Sequence, residues 1–168
     1  HLYELGHRRI ALVNGSLSVS SARYRQEGYR EALKTYGLPI DERYMLETEF
    51  GLEHDPTDIE AWLKRLDPMP TAIVAGNNVI ALHVIRLLRA AGIGVPEQVS
   101  VACFDDFGPF SGVDPFVTVA AQQAYQFGHA GMRLLIERIR ARGEERPRKR
   151  IMLPTALILR KSTAPPRA

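Results

Sequence analysis

Three apolar runs in this chain stop abruptly at polar side chains. Ile10-Ala-Leu-Val meets Asn14, Ala72-Ile-Val-Ala-Gly meets Asn77, and Val99-Ser-Val-Ala-Cys-Phe meets Asp105 and Asp106. A short run that is apolar on both faces and bounded by polar or turn residues is the mark of a buried parallel strand. Such runs recur at intervals of about 30 residues with helical patterns between them. That rhythm predicts right-handed βαβ units and an open parallel sheet with helices on both faces, an α/β fold. Ligands bind such sheets beyond the carboxyl ends of the strands. The chain is therefore expected to deliver several polar side chains to one sheet edge, as a binding cleft.

The segments between the runs carry their own punctuation. Residues 1–6 read as a helix end closed by Gly6, and a second helix, capped by Ser20 or Ser21, runs to Tyr36 and stops at Gly37. Tyr44–Thr48 is a weak strand. Asp55-Pro56 opens a helix through Leu66, with Ala61, Trp62, Leu63 and Leu66 as its buried face. Residues 78–91 form a helix with a wide apolar surface, ended by Gly92. A short strand over Phe116–Ala120 and a helix over residues 123–142 follow. Ile151–Leu153 and Ala156–Leu159 read as strand pieces broken by Pro154, and residues 164–168 as a disordered tail.

With 168 residues, 45% of them hydrophobic, the chain can bury one sizeable core. No apolar run reaches the roughly 18 residues of a membrane helix, and His1-Leu-Tyr-Glu-Leu-Gly-His has no apolar signal region, so the expected location is the cytoplasm. The chain starts on His inside a helical pattern and is read as a fragment or a processed product. Its one cysteine, Cys103, lies in a strand and reads as a buried structural thiol. The formal net charge of +3 hides an asymmetry. Residues 1–122 hold 11 Lys/Arg against 16 Asp/Glu, whereas residues 123–168 hold 11 against 3. The basic stretch from Arg138 to Arg150 has no aromatic residues to stack on bases. It reads as a solvated helix end and loop rather than a nucleic-acid footprint.

Catalytic patterns are missing. His1, His7, His54, His83 and His129 show no metal-ligand spacing, and there is no HExxH run or Gly-x-Ser-x-Gly elbow. Gly92-Ile-Gly94 follows a helix, so it is not a dinucleotide fingerprint. Asp105 and Asp106 are adjacent, so in extended chain they point apart. One can face the cleft while the other caps or pairs locally. No metal or cofactor is expected, and no enzymatic activity. Binding signals are better. Asn14, Asn77 and Asp105 end strands, Glu49 and Phe50 follow another, and Arg25 lies near the start of the helix after the Ser-rich loop. A cation, a carboxylate, amides and a ring make the mixture that carbohydrates and nucleosides need. Arg25 could instead pair with Glu49, Phe50 could be core, and Asn77 could simply cap a helix.

At this point the residues resemble a known family. His1-Leu-Tyr-Glu-Leu-Gly-His-Arg-Arg-Ile-Ala-Leu-Val, Arg25-Gln-Glu-Gly-Tyr-Arg-Glu-Ala-Leu, Pro70-Thr-Ala-Ile-Val-Ala-Gly-Asn-Asn, Val95-Pro-Glu-Gln-Val-Ser-Val-Ala-Cys-Phe-Asp-Asp and Leu153-Pro-Thr-Ala-Leu-Ile-Leu-Arg-Lys-Ser occur in that order. Together they are similar to the effector-binding core of lac-repressor-type (LacI/GalR) transcription regulators, which have the type I periplasmic-binding-protein fold. The resemblance implies a flavodoxin-like lobe of a two-lobed domain. Residues 1–122 would form the C-terminal lobe, 123–152 a returning segment of the N-terminal lobe, and 153–163 a final strand back in the C-terminal lobe.

The resemblance also implies a small-molecule effector between the lobes, held by Arg25, Phe50 as aromatic wall, Asn77, Asp105 and Gln122, with Ser16 to Ser20 of the loop lining the cleft. It implies a homodimer through residues of about 78–91 and 107–115, and operator contact through a helix-turn-helix that these residues do not contain. Two departures stand out. Asn78 takes a place that is often Asp in relatives, and Val119-Ala-Ala-Gln122 lacks the usual Arg. A transport sugar-binding protein of the same fold is the main alternative, and a flavodoxin-like nucleotide-dependent enzyme a more distant one.

Overall fold

The computed structural model describes residues 1–49, 51, 55–108, 115–141 and 147–167. Its strands are β1 (Ile10–Gly15), β2 (Met45–Thr48), β3 (Ala72–Ala75), β4 (Ser100–Phe104), β5 (Thr118–Ala121) and β6 (Ala156–Ile158). The helices are α1 (Ser20–Thr35), α2 (Thr57–Arg65), α3 (Asn78–Ala90) and α4 (Ala124–Arg140). The strands form one sheet in the order β2-β1-β3-β4-β5-β6. The first five are parallel, in the flavodoxin-like 2-1-3-4-5 order. β6 departs from the expected all-parallel sheet: it runs antiparallel to β5, pairing Val119 with Ile158 and Ala121 with Ala156. Ile151–Leu153 makes no strand.

Alternation along the strands sorts the core into two layers. Ala11, Val13, Ile73, Ala75, Val101, Cys103 and Val119 pack against Ile59 and Trp62 of α2 and Ile80, Val84 and Leu88 of α3. Their alternates Leu12, Val74, Ala102, Phe104 and Ala120 face the side of α1 and line an apolar groove of about 600 Å³. α1 contributes Gly28, Tyr29 and Leu33 to that groove, and His1, Leu2 and Tyr3 contribute to its lining. α1 thus covers only part of its face of the sheet.

Local chemistry explains the helix ends. Gly37 and Gly92 sit at φ of +65° and +74°, where a side chain would be strained. That turn lets Leu38 N–H donate to Leu33 O (2.8 Å) and Ile93 N–H to Leu88 O (2.9 Å), closing the last carbonyls. The same closure joins His7 N–H to Leu2 O (3.0 Å) after residues 1–6. The start of α1 differs from expectation. Val19, not Ser20 or Ser21, is its N-cap, with no side-chain cap bond. α4 buries none of its residues, and Tyr125, Phe127, Met132, Leu135 and Ile139 are exposed along it.

The C-terminal segment is stitched into the sheet. Ser162 is fully buried; its hydroxyl donates to Val101 O (2.5 Å) and accepts from Thr118 N–H (2.8 Å). Ala164 then accepts from His7 Nε2–H (2.9 Å) and from the Ser100 hydroxyl (3.0 Å). The expected disorder of residues 164–168 therefore does not hold at Ala164, because hydrogen bonds to the buried His7 and Ser100 tie its backbone down.

His7 carries a pH consequence. A carbonyl only accepts, so Nε2 bears the proton, and Nδ1 accepts from the Thr71 hydroxyl (2.9 Å). Burial pushes its pKa below the usual 6.5, with the Ala164 bond opposing. The unfolded chain then binds more protons than the folded one just below pH 6.5. His7's contribution is complete above that pH and is lost as pH falls through the window beneath it. Thermal melts between pH 7.5 and 5 are expected to show this fall, and His7→Gln to flatten it. An equal pH slope in the variant would refute the assignment.

Candidate ligand-binding site

The carboxyl ends of β1, β3, β4 and β5 meet at one edge, and three of the sequence-predicted residues converge there. Arg25 of α1 reaches Asp105, just past β4, at 3.4 Å. Gln122, just past β5, donates its side-chain N–H to the other carboxylate oxygen of Asp105. Arg25 has 13% and Asp105 32% of its side chain exposed, so the pair is half-sheltered yet open to a ligand. The carboxylate that pairs with Arg25 is thus Asp105. The guanidinium also lies over the Phe104 ring, 4.9 Å from its centroid, a cation–π contact.

Asp105 reaches this position through an unusual backbone. Its φ is +66°, and it is the one non-glycine residue in the left-handed region among the described residues. Aspartate tolerates that region better than most side chains. Asp105 N–H continues the ladder to Ala120 O (3.1 Å). The adjacent carboxylates part company: Asp106 turns away and pairs with Arg160 at 2.7 Å. They do not form an acid–base dyad.

The other predicted residues fall out differently. Asn77 is the N-cap of α3, its side-chain oxygen accepting from Ile80 N–H (2.8 Å). Ser16 shares a hydrogen bond with the Ser18 hydroxyl (3.0 Å) at the edge of the loop, and Ser20 is exposed in the first turn of α1. The loop is braced by Glu47, which accepts from Leu17 N–H (2.8 Å). Phe50 lies outside the described residues, as do 109–114 of the predicted dimer segment. Phe104 was missed as a ring in the site. Its signal was present, as the last apolar residue before Asp105, but it reads equally well as core.

Asn14 is structural. It is buried, and its side-chain N–H donates to Ala22 O (2.8 Å), tying β1 to α1. Its Oδ1 packs against Gly76, where an added Cβ would sit 2.7 Å from that oxygen and 3.1 Å from Asn14 Cα. Gly76→Ala is therefore expected to cost about 1–3 kcal/mol, since the neighbour that must move is buried. A chemical-denaturation midpoint equal to wild type would refute this.

The sheet-face groove is a different place. It shares Arg25 and Phe104 with the edge cluster, but the rest of its lining is mostly aliphatic or aromatic. Orientation of a polar ligand needs convergent donors and acceptors, and these sit at the strand ends. Cys103, beneath the edge, is no nucleophile: burial pushes its thiol up to about 12, and Asp105 and Asp106 add to the shift. Among the described residues no group of His, Cys, Asp and Glu could hold a metal. No helix among the described residues is long and apolar enough to cross a membrane.

Residues 1–163 match the family model of the periplasmic binding protein-like domain. The chain is 35% identical to the HTH-type transcriptional regulator DegA of Bacillus subtilis, over 98% of this chain and 48% of that protein. It is 33% identical to the HTH-type transcriptional repressor PurR of Haemophilus influenzae, over 96% and 48%. Among solved structures, the transcriptional regulator CelR in complex with cellobiose superposes with a TM-score of 0.85 at 33% identity, covering 96% of this chain and 48% of that one. The chain thus spans about half the length of the curated relatives it matches. With the strand order, the edge cluster and these matches together, the chain belongs to the periplasmic-binding-protein-like domain family, in the form carried by LacI-type transcriptional regulators.

Proposed function

We propose that this chain is the effector-sensing part of a DNA-binding transcription regulator, and that the carboxyl edge of its sheet binds a sugar or a related polyhydroxylated metabolite. The observation that carries the reading is the convergence of Arg25, Asp105 and Gln122 over the Phe104 ring. An ionised carboxylate can accept about four hydrogen bonds, so Asp105 has room for ligand hydroxyls beside its present partners. Arg25 supplies further donors, and Gln122 both a donor and an acceptor. The cellobiose complex of CelR supports the ligand class. The relatives are transcriptional regulators, which are not enzymes.

In this reading residues 1–122 and 153–163 form one lobe, and residues 123–152 return to a second. The exposed apolar face of α4 supports that division, because the described residues of the first lobe do not bury it. Ligand between the lobes acts by favouring one lobe orientation, which shifts the population of DNA-binding states. A coupling of about 1–3 kcal/mol changes operator affinity roughly 5–150-fold. Operator contact falls to a helix-turn-helix beyond these residues, and the protein works in the cytoplasm, where its DNA is. A homodimer through residues 78–91 and 107–115 fits the outward face of α3, where Leu82 is exposed while Ile80, Val84 and Leu88 fill the core.

The test is a thermal-shift panel of cellobiose, monosaccharides and nucleosides. A true effector at about 100 times its Kd adds about 2.7 kcal/mol of stability. The expected result is a shift with one chemical group of the panel, cut to about half or less in Asp105→Asn. A shift of wild-type size in this variant would overturn the site, and no shift with any member would overturn the ligand class.

A further inference from the structure

Asp106 and Arg160 form a contact that the proposed binding site does not use. Arg160 presents both terminal nitrogens to both carboxylate oxygens, at 2.8 Å to Oδ1 and 2.7 Å to Oδ2. This is the planar twin bond that only arginine makes. It is sheltered, with 10% of the Arg160 and 26% of the Asp106 side chain exposed. Asp106 is held from its other sides as well. Oδ1 accepts from Phe107 N–H (2.8 Å), and its carbonyl accepts from the Asn78 side chain (3.1 Å).

Arg160 is itself fixed to β5. Its backbone N–H donates to the Thr118 hydroxyl (2.9 Å), and its guanidinium donates to Val117 O (3.1 Å). A rigid line therefore runs from β5 through Arg160 to Asp106. The next residue back along the chain is Asp105, in the left-handed region at φ +66°. Aspartate tolerates that region better than most side chains, but staying there still costs free energy that its surroundings must offset. Released, Asp105 would relax to an extended or helical backbone and swing its carboxylate away from Arg25 and Gln122.

We propose that Arg160 is a positioning residue for the ligand site: by clamping Asp106 it holds Asp105 left-handed and so aims its carboxylate into the cleft. The functional weight of this inference rests on the reading of the edge as a sugar site, whereas its geometry does not. The residue comes from the C-terminal segment, 54 positions away from Asp106, and touches neither Arg25 nor Gln122. Integrity of that segment therefore sets the geometry of a site it does not line.

The experiment is amide hydrogen exchange by NMR, with no ligand present. Arg160→Met is expected to speed exchange at Asp105 and Phe107 by about tenfold or more, while Leu12 and Ile73 in the central strands keep their wild-type rates. Arg160→Lys keeps the charge but loses the twin bond, and is expected to fall between the two. Labelling of Cys103 by a thiol reagent is a second readout, since its thiol donates to Asp105 O (3.6 Å) and it is the only cysteine. If Arg160→Met does not fold, Asp106→Asn is expected to show the same local loosening. Unchanged exchange at Asp105, or a uniform rise that includes Leu12 and Ile73, overturns the proposal. A panel in which no sugar binds, with Asp105 still loosened, overturns only the sugar reading. Sugar binding in the wild type with Asp105 unmoved in Arg160→Met overturns only the positioning role.

Discussion

Replacing Asp105 with asparagine is expected to weaken effector binding by roughly ten- to a hundredfold while leaving the fold in place. Asparagine keeps the shape of the side chain and its tolerance of the left-handed region, so the backbone at φ +66° is not the variable. What is lost is the charge. A hydrogen bond to a charged group is worth about 1.5–3 kcal/mol, and every 1.4 kcal/mol is tenfold in affinity. Arg25→Met is expected to act in the same direction, through lost donors and a lost cation over Phe104. The structural cost of either change is small. The Arg25–Asp105 contact is 3.4 Å long with its carboxylate one-third exposed, and such pairs contribute about 1 kcal/mol or less. Titration calorimetry with the panel's active member and a circular-dichroism spectrum of each variant check the two halves. Wild-type affinity in both variants would remove Arg25 and Asp105 from the site.

Trp62→Ala is expected to be the most damaging single core change, at about 3–5 kcal/mol. α2 has nine residues, too few to hold itself as a helix in water, and buries only Ile59 and Trp62. Trp62 is 5% exposed and packs in the same layer as Ala11, Val13 and Leu88. Its indole N–H donates to Arg43 O (2.9 Å), so truncation also leaves a carbonyl without its partner. Each kcal/mol lowers the midpoint of a domain this size by about 2–4 °C, so the melt is expected to drop by at least about 6 °C. Trp62→Phe keeps most of the ring and is expected to lose less. Trp62 is the only tryptophan, so the melt is followed by circular dichroism rather than fluorescence. A loss below about 1 kcal/mol in Trp62→Ala would mean that α2 is not part of the cooperative core.

The parts that were legible in the chain are those that near neighbours decide. An apolar run followed by Asn14, Asn77 or Asp105 is a local signal, and each such run is a strand whose polar residue stands at or just past its carboxyl end. Gly37 and Gly92 stop their helices because only a residue without a side chain takes that turn at no cost. The divergence of Asp105 and Asp106 agrees with the expectation, but its cause is the left-handed turn at Asp105 just past β4 rather than the pleat, and the partners of each are not local. Arg25 and Asp105 are 80 residues apart, and Asp106 and Arg160 are 54 apart. No periodicity records such pairings. Asn77 shows the limit from the other side: its type suits a helix cap and a ligand contact equally, and the Ile80 N–H takes its oxygen.

From its sequence alone, this protein is an α/β sheet with a polar carboxyl edge, because strand burial, helix caps and turn glycines are set within a few residues of chain. The tertiary structure alone decided the rest. It placed Phe104 beneath Arg25, reversed β6 against β5, and tied Ala164 down by hydrogen bonds where Pro-rich composition had suggested a loose tail. It also set Arg160 behind Asp106. The reason is common to all four. Each depends on which distant backbone or side chain meets a polar group as it leaves water, and that partner exists only once the sheet has assembled.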